Sequence, residues 1–160
     1  MTRHPPKPLA IYVDGACTGN PGPGGYAALI LDGDTETHRV IGGYQRTTNN
    51  RMELMAVIAG LSALERGSTV TVFCDSLYVV KAMTKGWARR WRENGWMRTP
   101  RERASNADLW ELLLTLDQRH HVTYQWVPGH RNVAKNNLCD ALARGAAGGR
   151  DLPLDLGYQV

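Results

Sequence analysis

Two short β-prone runs constrain this chain more than anything else in it: Leu9–Val13 (LAIYV) and Thr69–Cys74 (TVTVFC) each stop on an aspartate, Asp14 and Asp75. A continuous apolar, β-branched run of this length predicts a strand covered on both faces, as in a sheet flanked by helices. The intervening sequence supplies the cover. Tyr26–Leu31 and Thr37–Tyr44 read as two more strands joined by a turn at Asp32-Gly33-Asp34, so the first 44 residues predict an antiparallel meander. Between Asp14 and Tyr26 lies Gly15–Gly25, with five glycines and two prolines, which reads as a loop. Thr48 or Asn49 can cap a helix that repeats Leu54, Val57, Ile58, Leu61 and Leu64 at helical spacing until Gly67, with Glu53 in its first turns.

The second half repeats the logic. Ser76 is placed to open a helix directly after Asp75. Ala107–Leu116 reads as a helix, His121–Val127 alternates as a last strand before Pro128-Gly129, and 132–147 is helical with Asp140 in its middle. The chain is therefore expected to be one α/β domain over residues 9–147, with a polar, Pro-rich arm at 1–8 and a tail at 148–160 that carries no periodic pattern. Two strand ends and two helices each bring one acid, and open α/β sheets place their chemistry at strand C-terminal ends.

Oxygen-only clusters of carboxylates suit Mg²⁺, or Mn²⁺, because these hard ions prefer oxygen and retain several waters. Zinc would require His or Cys at close spacing, and the adjacent pair His120-His121 cannot place both rings on one strand face. Two ions about 4 Å apart can orient and deprotonate a water on one side of a phosphodiester while stabilising the leaving oxygen on the other. Asp14, Glu53, Asp75 and Asp140 are the expected ligands, and His130, in the loop ten positions before Asp140, is placed to move protons near neutral pH. The glycine-rich GNPGPGG of Gly19–Gly25 has no GKS or GKT behind it, which excludes a P-loop.

Charge is unevenly spread. Seven of the 19 Lys and Arg residues lie between Lys85 and Arg103 against two acids, Glu93 and Glu102, so a chain of net charge +4 concentrates +5 in that stretch. Such a patch beside a separate acidic site fits a polyanion-binding surface. The odd cysteine count (Cys17, Cys74, Cys139) has no CxxC spacing, which argues against a disulfide framework and a structural zinc, and a reducing cytoplasm is the expected location. No run approaches the ~20 apolar residues of a membrane span, and no membrane partner is expected.

Six ordered segments resemble bacterial-type ribonuclease H, type 1: VDGACTGNPGPGGYAA, TTNNRMELMA, CDSLYV, GWARRWRENGW, NADLWELL, and WVPGH followed by NNLCDALAR, together covering about Leu9–Ala147. The resemblance implies a ribonuclease H-like fold, a mixed five-stranded sheet of order 3-2-1-4-5 with helices on both faces. It implies cleavage of the RNA strand of RNA–DNA hybrids, leaving 5′-phosphate and 3′-hydroxyl ends. It lays Asp14, Glu53, Asp75 and Asp140 on four metal-holding carboxylates and His130 on a loop histidine assisting product release. Asn20, Asn49 and the peptide around Gly15 and Cys17 fall where the family touches hybrid sugars, with Thr48, Asn50 and Arg51 near phosphates. Gly86–Trp96 matches a handle-like helical hairpin that grips the DNA strand through Trp87, Arg89, Arg90 and Trp91. Leu77, Pro128 and the loop HRNVAKNN depart from the pattern and leave the four acids intact. Starting at Met1 with polar ends, the chain is expected to be a stand-alone monomeric enzyme.

Overall fold

A computed structural model of the chain describes residues 7–128 and 134–158. Five strands, β1 (Leu9–Cys17), β2 (Gly22–Asp32), β3 (Thr35–Thr47), β4 (Thr69–Cys74) and β5 (His121–Trp126), form one sheet of order β3-β2-β1-β4-β5. The meander β1–β2–β3 is antiparallel, while β4 runs parallel to β1 and β5 parallel to β4. The expected mixed sheet is present in the expected order.

Helices cover both faces, as the alternation of β1 shows. Ile11 and Val13 belong to the larger core, packed with Leu54, Val57 and Leu61 of α1 (Asn49–Ser62) and with Trp110 and Leu113. Ala10 and Tyr12 point the other way and pack with Leu29, Leu31, Leu138 and Cys139, the last two from α5 (Ala134–Ala147). The remaining helices are α2 (Leu77–Thr84), α3 (Trp87–Glu93) and α4 (Ala107–Arg119). Trp110 of α4 is wholly buried and is the largest side chain in the core.

Four expectations need correction. β1 does not stop before Asp14 but continues to Cys17, because Asp14, Gly15, Ala16 and Cys17 keep pairing with Ala27, Tyr26, Gly25 and Gly24. The expected eleven-residue loop shrinks to residues 18–21, since glycines tolerate a strand where helices press close on either side. α1 ends at Ser62 rather than Gly67. Gly67, at φ 83°, instead makes the turn into β4, its N–H donating to the Arg119 carbonyl at 2.9 Å. The handle is not a hairpin of two helices: Gly86 (φ 75°) separates α2 from α3, and beyond Gly95 and Trp96, both left-handed, the chain returns as an irregular arm tied by a Met97–Arg103 bridge.

The tail, patternless in sequence, is docked. Pro153 accepts from the Gln45 N–H at 2.9 Å, and Asp155 accepts from the Thr47 hydroxyl at 2.7 Å.

Candidate active site

The site grows out of the end of β1. β1 and β4 are in parallel register up to Tyr12 and Phe73, so two residues further along lie Asp14 in β1 and Asp75 just past the end of the neighbouring β4. Glu53 arrives from the other direction. Thr48 caps α1, its hydroxyl accepting from the Arg51 N–H at 3.3 Å, which starts the helix one turn before Glu53. Gly15 lets that turn come in. A Cβ there would lie 2.4 Å from the Glu53 nitrogen and 2.4 Å from the Met52 carbonyl carbon, so only a glycine allows α1 to seat Glu53 against Asp14. Gly25 does the same on the opposite face, where a Cβ would meet the Ala143 carbonyl at 2.1 Å. That close approach seats α5, and with it Asp140, over the meander.

Asp14 and Glu53 are both buried, at 3% and 5% exposure. Burial first, then the charge of Asp75, pushes the Asp14 carboxyl up to about 7; a hydrogen bond with Glu53 and the Gly15 N–H, donated at 2.9 Å, pull it back, while the charge of Asp140 adds to the rise. Glu53 is driven well above the usual carboxylate range by burial and by the charges of Asp14 and Asp75. Its Oε2 is buried without a hydrogen-bond partner among the described residues. Three carboxylates that repel one another, with one oxygen left bare, are what a divalent cation would relieve, and the donor set of hard oxygens fits Mg²⁺ or Mn²⁺.

Asp140 is half-exposed, and its Oδ2 lies 2.7 Å from Nη2 of Arg144, one turn on. Sequence reasoning misses that i,i+4 pair, although it is legible once α5 is drawn. It also leaves Cys74 unassigned: the Cys74 sulfur, one oxygen of Glu53 and one of Asp75 all lie within 4.8 Å of one another. His130 lies outside the described residues.

The expected substrate contacts divide. Asn20 Oδ1 accepts from the Asn49 N–H at 2.9 Å, which ties the β1–β2 connection to the start of α1. Asn50 lines a cavity with Tyr78, Trp87, Trp91 and Arg98 and shares it with a groove reaching Asn20 and Thr48. Trp87 and Trp91 are half-buried against the core, Trp91 edge-on to Trp110 at 5.8 Å between centroids. Arg90 is exposed, and Arg89 reaches Asp117 at 3.2 Å. The Cys17 thiol donates to the carbonyls of Gly22 and Thr47, at 3.4 Å each.

Arg51 does not lie free for phosphates. It is buried at 2% exposure, forked between Asp155 (Nε at 2.7 Å, Nη2 at 3.0 Å) and Asp108 (Nη1 at 2.8 Å, Nη2 at 2.7 Å). One of these partners comes from α4 and the other from the tail. Neither is near Arg51 in sequence.

The sequence model of the RNase H family matches residues 6–148. The chain belongs to the RNase H family. It is 53% identical over 158 residues to the ribonuclease H of Syntrophus aciditrophicus (strain SB), covering 98% of this chain and 90% of that one. Among solved structures it resembles LC9-RNase H1, a type 1 RNase H with the type 2 active-site motif, at 32% identity and a TM-score of 0.78, over 92% of this chain and 75% of that one. It shares its fold with LC11-RNase H1, solved in complex with an RNA/DNA hybrid, at 21% identity and a TM-score of 0.65, over 87% of this chain and 96% of that one. As an RNase H family enzyme the chain is a nuclease, a phosphodiester hydrolase.

Proposed function

We propose that the enzyme cuts the RNA strand of RNA–DNA hybrids by metal-dependent hydrolysis, with Asp14, Glu53, Asp75 and Asp140 holding Mg²⁺, or Mn²⁺ in its place. The observation that carries this reading is the buried pairing of Asp14 with Glu53, one of whose oxygens has no partner among the described residues. When bound, two such ions would supply an activated water and charge neutralisation at the leaving oxygen, giving 5′-phosphate and 3′-hydroxyl ends. The protein's own groups do the rest. Asp14 and Glu53, held rigidly by the Gly15 contact, fix the ligand positions in advance, and their burial keeps bulk water from screening the charges. Asp140, on the edge of the site, can exchange its Arg144 partner for a cation without leaving a buried charge.

Asn20 and Asn49 hold one bank of the groove where sugars would lie, and the 2′-hydroxyl is the group that separates RNA from DNA there. On the other bank, the cavity of Trp87, Trp91 and Arg98 and the exposed Arg90 offer flat rings and guanidinium groups to the DNA strand without any base reading. His130 is assigned the proton traffic of product release, the enzyme is taken to act as a monomer, and its place is the cytoplasm. One gel tests the reading: a single sequence presented as RNA–DNA hybrid, duplex RNA and duplex DNA, each with Mg²⁺, Mn²⁺ or chelator. Cleavage confined to the RNA of the hybrid and abolished by chelator is expected. Equal cutting of duplex DNA, or cutting in chelator, would exclude it.

A further inference from the structure

Cys74 ends β4 and is fully buried. Its sulfur is not simply core: it stands with a Glu53 oxygen and an Asp75 oxygen in a group whose members lie within 4.8 Å of one another, and Ser76 N–H donates to it at 3.4 Å. Among the described residues this is the one group of three His, Cys, Asp or Glu side chains whose ligand atoms all lie that near one another. Glu53, buried at 5% exposure, leaves its Oε2 without a partner among those residues. A desolvated carboxylate oxygen with no donor carries the full cost of its lost hydration. A cation removes that cost. Hard ions take the two carboxylates and ignore the thiol, but zinc and cadmium prefer thiolate and accept carboxylate beside it. With zinc–sulfur and zinc–oxygen bonds of about 2.3 Å and 2.1 Å, tetrahedral ligand atoms stand roughly 3.6 Å apart. From separations of at most 4.8 Å, the three atoms need to close by no more than about 1.2 Å to reach that spacing, a movement that side-chain rotation can supply.

We propose that Cys74, Glu53 and Asp75 form a mixed sulfur–oxygen site for a thiophilic divalent cation, zinc or cadmium, and that an ion held there shuts off cleavage by occupying two carboxylates of the hard-metal site. The second half rests on the reading that Glu53 and Asp75 hold Mg²⁺. On binding, the S–H bond is exchanged for a metal–sulfur bond, the proton leaves to water, and the fourth position of the ion stays open to water. The other two thiols have different surroundings, Cys17 bonded to the Gly22 and Thr47 carbonyls and Cys139 to the Tyr12 carbonyl at 3.2 Å.

The test uses the whole chain, native and with Cys74→Ser or Cys74→Ala. Serine keeps an acceptor for the Ser76 N–H and removes only the soft ligand; alanine removes both. Cadmium is titrated while the ultraviolet sulfur-to-cadmium charge-transfer band is recorded, and in parallel hybrid cleavage at fixed Mg²⁺ is measured against added cadmium or zinc. The native chain should develop the band and lose cleavage together. Both variants should lose the band and need at least about tenfold more cadmium for half-inhibition, while cleaving normally with Mg²⁺ or Mn²⁺ alone. An unchanged band or an unchanged inhibition curve in Cys74→Ser overturns the proposal. If the native chain shows a Cys74-dependent band yet never cleaves a hybrid with Mg²⁺, the soft-metal site stands and the proposed function falls. Cleavage without a Cys74-dependent band overturns the soft-metal site and leaves the proposed function standing.

Discussion

Replacing Asp155 by Asn should destabilise the enzyme far more than its position in a patternless tail would imply. The Arg51 side chain is 3% exposed, and Asp155, at 7%, supplies two of its hydrogen bonds along with half of its countercharge. Burial works against the charged guanidinium, but the two carboxylates outweigh it and hold Arg51 firmly protonated. Removing one partner of a buried pair typically costs about 3–5 kcal/mol because a charge is left uncompensated. Here Asp108 keeps its two-pronged grip on the other edge of the guanidinium, so the expected loss is about 2–3 kcal/mol. For a chain of this size that is a fall in Tm of roughly 5–10 °C. Asp108, at 45% exposure, sits where ion pairs are weak, and Asp108→Asn should cost no more than about 1 kcal/mol. Urea unfolding of both single variants and the double variant measures these values and their coupling. A loss below about 0.5 kcal/mol for Asp155→Asn, or a larger loss for Asp108→Asn, would refute the reasoning.

Without divalent metal, stability should fall as pH rises. The folded Asp14 carboxyl titrates at about 7 against an ordinary 3.8, so the folded state binds more protons across that window; the contribution is fully present below about 3.8 and lost as pH passes about 7. Thermal melts from pH 4 to 8 with chelator should show that slope, and saturating Mg²⁺ should flatten it; a chelated enzyme that gains stability over this range contradicts the electrostatics of the site. Gly15→Ala forces α1 away from β1, and a displacement near 1 Å at Glu53 should lower kcat by about a hundredfold, whereas wild-type turnover would show that the close approach is dispensable. Arg89→Ala with Arg90→Ala should weaken hybrid binding and reduce the slope of log affinity against log salt by up to about 2. Since Arg89 already contacts Asp117, Arg90→Ala alone should account for most of that change, and an unaltered slope would place the DNA-facing surface elsewhere.

The parts legible in the sequence are those whose signal is local. β4 can be read to the residue because its six apolar and β-branched positions stop at an acid and a capping serine; α4 can be placed, though it runs three residues past the expected Leu116 to Arg119, because its leucines and Trp110 recur at helical spacing. The four carboxylates can be grouped because each sits in a segment matching the family. Glycine misleads where its role is tertiary: Gly15 and Gly25 look like loop residues in isolation, yet they lie in strands against which α1 and α5 press. The ion pairs of Arg51 are hidden for a similar reason. Its partner Asp155 is 104 residues away, and no periodicity reports a pairing of that span. The thiol of Cys74 stays unassigned in sequence because strand propensity explains a cysteine there equally well, and only the arrival of Glu53 from α1 makes it part of a cluster.

The role of the carboxylate cluster is tested most directly by strand-specific cleavage with Asp14→Asn beside the native chain, on a hybrid labelled separately in its RNA and DNA strands, with hybrid binding measured in parallel. The native chain should show Mg²⁺-dependent loss of the RNA label alone. Asp14→Asn should show no cleavage, with binding retained and a fold at least as stable without metal. Undiminished RNA cleavage by Asp14→Asn would contradict a hydrolytic site built on these four acids.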